Sequence, residues 1–94
     1  MRKLRVSSQK LQDLKHKYGV SQEDYAKRLK KQNYGCAICR VHEMKLTRGL
    51  YVDHNHKTGK VRGLLCTNCN TALGMLEDSP ELLTKAIEYL KNAL

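Results

Sequence analysis

Cys36-Ala37-Ile38-Cys39, Leu50-Tyr51-Val52-Asp53-His54-Asn55-His56 and Val61-Arg62-Gly63-Leu64-Leu65-Cys66-Thr67-Asn68-Cys69-Asn70 follow one another in the chain. Their reading decides the fold. Each cysteine pair is separated by two residues, and residues 40–65 lie between the pairs. A two-residue gap lets both thiolates of one turn point at the same ion, and two such turns complete a tetrahedron. Thiolates are soft ligands, which favours zinc over magnesium or calcium. Four sulfurs leave no open position, so the expected site is structural. Cys36, Cys39, Cys66 and Cys69 could instead form two disulfides. The start Met1-Arg2-Lys3-Leu4-Arg5 is basic, but no apolar run follows it, so a secretion signal is not expected. Thiols of a reducing cytosol then favour the metal.

Working outward, Leu50-Tyr51-Val52-Asp53 has strand character, residues 55–60 form a polar loop, and Val61-Arg62-Gly63-Leu64-Leu65 reads as a second strand. A helix is expected from Asn68 or Cys69 to about Leu76. Residues 36–49 look irregular. Upstream, Ser8–Tyr18 reads as a helix with Leu11 and Leu14 inward and Lys10, Lys15 and Lys17 outward, stopped by Gly19. Ser21 is a good N-cap with Asp24 three residues on, a weaker capping box. That second helix should run to about residue 32 with Tyr25, Ala26 and Leu29 inward, and Asn33-Tyr34-Gly35 breaks it. Downstream, Ser79 at the N-cap and Pro80 at the first helical position open a last helix. Its stripe of Leu82, Leu83, Ala86, Ile87, Leu90 and Leu94 is expected to be core packing surface. The expected organisation is a basic helical segment over 1–34, a zinc-knotted core over 35–78 and a C-terminal helix over 79–94, all one compact domain.

With 94 residues, no Trp and no Phe, such a chain has a marginal core and needs a staple. A metal knot would supply it. The hydrophobic content of 40% argues against disorder. No apolar run is long enough for a membrane span. The net charge of +9 is uneven, with +7 carried by residues 1–35, +2 by residues 36–78 and none by residues 79–94. A one-sided positive field favours an anionic partner, and nucleic acid is the expected one.

Asp53-His54-Asn55-His56 lies between the cysteine pairs and Asn70 just after the second. A knot that ties the pairs together brings Asp53, at a strand end, towards Asn70, at a helix start. A carboxylate and an amide oxygen form a hard-oxygen pair suited to magnesium or a similar ion. His54, beside Asp53, suits a general base at neutral pH. It would deprotonate the water that attacks phosphorus. Taken singly, Asp53 is also an ordinary strand-end residue and Asn70 an ordinary helix-start residue. His54 and His56 could serve as zinc ligands, but four cysteines already fill that shell. His56 has three readings: phosphate contact, loop orientation or plain exposure. His16 and His42 are expected on the surface.

Leu50 to His56, then Thr58-Gly59-Lys60-Val61-Arg62-Gly63-Leu64-Leu65-Cys66, then Cys69-Asn70 and Leu73-Gly74, resemble the phage recombination endonuclease VII family of HNH, or ββα-metal, nucleases. The resemblance covers roughly residues 18–78. It implies an α+β fold: a small zinc-stabilised ββα-metal domain with N-terminal helices and one C-terminal helix. It also implies that Asp53 and Asn70 hold a catalytic divalent ion, magnesium or manganese. His54 is then the general base, and Cys36, Cys39, Cys66 and Cys69 hold structural zinc. The implied reaction is hydrolysis of DNA phosphodiester bonds to a 5′-phosphate and a 3′-hydroxyl. Lys57, Lys60 and Arg62 around the active loop would hold the DNA backbone, and Lys27, Arg28, Lys30 and Lys31 would widen the footprint. Junction-resolving members of the family carry a long C-terminal extension that builds an intertwined dimer, whereas about 16 residues follow Asp78 here. A monomer that nicks or cuts duplex DNA with low sequence specificity is therefore expected, with branched-DNA resolution the alternative should it dimerise. Two further readings are a non-catalytic zinc-containing nucleic-acid-binding module and an adaptor for phage DNA-processing proteins such as the packaging machinery. The expected location is the cytoplasm of a bacterial host.

Overall fold

The computed structural model describes residues 8–93, so the basic start Met1-Arg2-Lys3-Leu4-Arg5 and Leu94 lie outside the described residues. Helix α1 spans Ser8–Tyr18 and ends at Gly19, whose φ of +68° lies in the left-handed region that glycine enters cheaply. Helix α2 spans Gln22–Lys31. Its capping box is complete: the Asp24 amide donates to Ser21 Oγ at 3.1 Å, and the Ser21 amide donates to Asp24 Oδ2 at 3.2 Å. Asn33 and Tyr34, at φ of +54° and +63°, break it where the sequence predicts. A short 3-10 turn, Glu43–Lys45, interrupts the irregular stretch. His42, expected at the surface, is half-buried, and its Nδ1 accepts from the Met44 amide to cap that turn. His16 is exposed.

Strands β1 (Tyr51–His54) and β2 (Val61–Leu65) pair antiparallel. Helix α3 follows at Thr67–Met75, one residue earlier than the sequence suggests, because Cys66 itself is the N-cap and its Sγ accepts from the Cys69 amide. The order β1, β2, α3 is the expected ββα unit. The pairing is not regular: Asp53 faces Gly63 and His54 faces Val61, which leaves Arg62 without a partner in the ladder. A bulge of this kind re-aims the extra residue's side chain.

The core joins α1, α2 and the hairpin through Leu14, Val20, Tyr25, Leu29, Leu50, Val52, Leu64 and Leu65, together with Cys36 and Cys66. Tyr25, Leu29, Leu50 and Leu64 are at most 1% exposed, and each buried aliphatic side chain contributes about 1.5–3 kcal/mol. Tyr25 fills the place of the absent Phe and donates its hydroxyl to the Leu50 carbonyl at 2.6 Å. Lys10, expected to face outward, lies over the Tyr51 ring at 5.0 Å and helps hold α1 to β1.

The last helix, α4 (Pro80–Ala93), corrects an expectation. Its stripe is not core: Leu82, Ile87 and Leu90 are 36%, 52% and 62% exposed, and no residue of α4 is buried. The reason is size. A helix of 14 residues is about 21 Å long, whereas the hairpin's strands, at most 5 residues, reach about 17 Å and already pack against the other helices. Among the described residues no helix is long and apolar enough to cross a membrane.

Candidate functional site

The four cysteine sulfurs all lie within 4.8 Å of one another, and Cys39 Sγ and Cys66 Sγ are 3.7 Å apart. No pair is bonded; all four are free thiols. Metal–sulfur distances of about 2.3 Å in a tetrahedron require sulfurs about 3.8 Å apart, a spacing that the Cys39–Cys66 pair matches and the whole cluster approaches. Cys36 and Cys39 come from the turn after α2, Cys66 caps α3 and Cys69 lies in its first turn. Backbone amides stabilise negative sulfur: Ile38 N–H donates to Cys36 Sγ at 3.5 Å and Cys69 N–H to Cys66 Sγ at 3.4 Å. Burial opposes ionisation of Cys36, but hydrogen bonds from the Cys66, Cys39 and Ile38 backbones and the Cys39 thiol bring it down to about 6. Burial and the three neighbouring thiols push Cys69 up to about 12. Four crowded sulfurs thus ionise together only around a cation. It is the one such cluster of His, Cys, Asp and Glu among the described residues.

The knot fixes the start of α3 against the hairpin, and the polar residues line the hairpin's far end. Asp53 is 8% exposed at the end of β1. The bulge turns Arg62 onto it: Nε donates to Asp53 Oδ2 at 2.7 Å and Nη2 to Oδ1 at 3.0 Å. The same Nη2 donates to Asp78 Oδ2 at 3.3 Å. The Asp53 hydrogen bond raises the guanidinium's basicity, against the effect of burial, and the charges of Asp53 and Asp78 add to it. His54 is half-buried, with its ring 4.5 Å from Tyr18 and 4.7 Å from His56. His56 is exposed, and its Nε2 lies 3.8 Å from Asp78 Oδ2. Asn55 builds the loop, its Oδ1 accepting from the amides of Lys57 and Thr58 at 2.8 and 3.1 Å.

Asn70 lies on the exposed side of α3's first turn. Lys57 and Lys60 are exposed on the loop, and Lys27, Lys30 and Lys31 are exposed on α2. Lys27, Arg28 and Lys31 share an open groove of about 680 Å³ with Lys60, which joins the basic helix to the hairpin loop. Arg62, expected to hold a DNA backbone, is engaged by two carboxylates. Sequence reasoning missed Asp78 and Tyr18 as neighbours of the site. The pairing of Arg62 with Asp53 needs the bulge, which no residue in the hairpin announces. Tyr18 is legible as the last residue before a stop and as part of the helical lead-in that the family resemblance covers, not as a neighbour of His54.

A sequence model of the recombination endonuclease VII family matches residues 11–92. The gene 59 protein of Mycobacterium phage D29 is 48% identical over 75 residues, covering 79% of this chain and 45% of its own. The gene 59 protein of Mycobacterium phage L5 is 47% identical over 76 residues, covering 80% of this chain and 46% of its own. The chain thus spans less than half the length of these curated relatives. Among solved structures, the ββα-Me type II restriction endonuclease Hpy99I matches with a TM-score of 0.59 and 34% identity, over 88% of this chain and 48% of that one.

Proposed function

The chain belongs to the recombination endonuclease VII family, and from that premise we propose that it is a metal-dependent endonuclease that hydrolyses DNA phosphodiester bonds at the β1–β2–α3 unit. The observation that supports the reading is the β1–β2–α3 order itself, with Asp53 and His54 on β1 and a thiol cluster that includes the first turn of α3, the turn that carries Asn70. In this reading Asp53 and Asn70 hold a divalent ion, magnesium or manganese, which when bound neutralises charge on the non-bridging and leaving oxygens. His54 removes the proton from the water that adds to phosphorus as the bond to the 3′-oxygen breaks. The products are a 5′-phosphate and a 3′-hydroxyl. The Tyr18 ring against one side of the imidazole and His56 against it on another limit its orientations. The four cysteines hold structural zinc and take no part in the chemistry.

The DNA is gripped through phosphate. The groove of Lys27, Arg28, Lys31 and Lys60 supports a backbone track beside the active loop, with Lys30 and Lys57 adding to the field. Such contacts give affinity without reading bases, so low sequence specificity follows. Host cytoplasm is the proposed place of action, consistent with relatives from mycobacteriophages.

A plasmid-nicking assay with and without magnesium or manganese tests the proposal. Wild-type protein is expected to cut only with the ion. His54→Ala should lower cutting by about 10²–10⁴-fold while plasmid retention and zinc content stay unchanged. Wild-type protein that retains plasmid but fails to cut it whichever divalent ion is added would be a non-catalytic binding module instead.

A further inference from the structure

One guanidinium serves two carboxylates at the site. Arg62 holds both oxygens of Asp53, at 2.7 and 3.0 Å, and reaches Asp78 Oδ2 at 3.3 Å with the nitrogen that also bonds Asp53 Oδ1. The backbone sets the places of both carboxylates. The bulge between Asp53 and His54 sets the Arg62 side chain beside Asp53. Asp78 follows Glu77 in the left-handed region, at φ of +53° and +58°, a conformation unfavourable for both residues. Its amide is bound to the Leu73 carbonyl at 2.8 Å, which fixes the turn. The Arg62–Asp78 pair borders an open groove of about 690 Å³ that also contains His56 and Lys57.

The donor chemistry fits a hard ion only in part. Asp53 supplies a carboxylate and Asn70 an amide oxygen, as magnesium or manganese requires. Yet the bidentate fork already uses both oxygens of Asp53. A divalent ion demands close, well-directed oxygen ligands and repels an adjacent guanidinium, so the two cations cannot both hold Asp53 at full strength. Asp78 offers the guanidinium a second carboxylate within reach.

We propose that Arg62 is a built-in competitor of the divalent ion for Asp53, and that Asp78 is the carboxylate that takes the guanidinium over when the ion binds. The inference rests on the reading of Asp53 as an ion ligand. It makes Arg62 a regulator of ion loading. Once handed over, its fork lies at the edge of the groove, where a backbone phosphate is a bidentate partner that draws it further from Asp53. Ion and DNA backbone then strengthen each other's binding, as linkage requires.

The test is manganese binding to the zinc-loaded full chain without DNA, read from the electron paramagnetic resonance signal of free Mn²⁺. Arg62→Gln should bind Mn²⁺ about tenfold more tightly than wild type, the scale of one charge-assisted hydrogen-bonded pair. Arg62→Lys, which keeps the charge but loses the fork, should lie between the two, and it decides the matter alone if Arg62→Gln fails to fold by zinc content and circular dichroism. Asp78→Asn should weaken binding several-fold when Arg62 is present and have little effect in the Arg62→Gln background. Equal or weaker Mn²⁺ binding by the Arg62 variants makes Arg62 an orienting partner of Asp53 and overturns the competition. An Asp78→Asn effect of the same size in both backgrounds overturns the handover. Asp53→Asn separates these from failure of the underlying reading: it should abolish Mn²⁺ binding, and retained binding would remove Asp53 from the ion site altogether.

Discussion

The side-chain amide of Gln32 donates to the carbonyls of Gly35 and Leu64 at 2.8 and 3.0 Å, and its oxygen accepts from the Leu64 amide at 2.9 Å. Leu64 is fully buried on the edge of a two-stranded sheet, where a free amide and carbonyl would be costly. Gln32 therefore stands in for part of a third strand. Gly63 gives it room, since a Cβ there would lie 3.3 Å from Gln32 Oε1. Gln32→Ala should cost about 2–3 kcal/mol in denaturant unfolding. Gln32→Glu tests the direction of the bonds. A carboxylate can donate to neither carbonyl and its protonated form to one of them, so the folded chain favours the protonated form and the folded-state pKa is raised. Relative to wild type at the same pH, this variant should be least impaired near about pH 4, the ordinary range of glutamate, and lose stability as pH rises through its folded value. Tyr25 carries a similar limb natively. Burial chiefly, with the nearby Glu43 charge, raises its pKa above the ordinary 10. The unfolded chain then ionises first, so the contribution of Tyr25 to stability is full below pH 10 and lost as pH climbs further. Tyr25→Phe should abolish that alkaline limb in pH-dependent unfolding while weakening the fold by about 1 kcal/mol at neutral pH. At this scale the sequence announces what is local. Ser21 and Asp24, three residues apart, state their own capping box. Gln32 and Leu64 are 32 residues apart, and nothing in either neighbourhood names the other.

At the scale of elements, period and punctuation were readable and partners were not. The starts of α2 and α4 follow from the N-caps Ser21 and Ser79 and from Pro80, and β2 from an apolar run after a polar loop. The apolar stripe of α4 also follows, but the surface it would cover does not, because amphipathicity says only that one side avoids water. The hairpin hides a second surprise. Regular pairing would set His54 opposite Arg62; the bulge instead leaves His54 opposite Val61 and brings Arg62 to Asp53. The sequence names Asp53, His54 and Arg62 as candidates, but not that Arg62 is wired to Asp53. The exposed stripe gives a direct prediction. Ile87→Glu and Leu90→Lys should each change thermal stability by no more than about 0.5 kcal/mol, because little burial is lost. A loss of about 2 kcal/mol or more, measured on the isolated chain by calorimetry, would mean that these side chains are packed.

At the scale of the whole molecule, the thiol cluster and the basic surface set separate dependences. Cys36 and Cys66 belong to the core cluster itself, so the metal clasp and the hydrophobic core are one structure. A chain of 94 residues with ten buried apolar side chains among those described has about 5–15 kcal/mol of stability to lose. Structural zinc in small domains is worth a comparable amount. Chelation should therefore release one zinc per chain and abolish the helical circular dichroism in a single transition. Acid should do the same as the thiolates protonate, because ionised sulfur is the form that holds the ion. A chelated chain that keeps its spectrum and melting temperature would show that the core stands without the clasp. DNA affinity should follow a different variable. Lys27, Arg28, Lys31 and Lys60 line one groove and, as phosphate contacts, each displaces about one counterion. Changing any one to Gln should reduce the slope of log affinity against log salt by about 1, uniformly across DNA sequences, while leaving zinc content and the chelation transition untouched. A change that altered sequence preference instead would place that side chain against bases rather than backbone, and the groove would have to be read as a recognition surface.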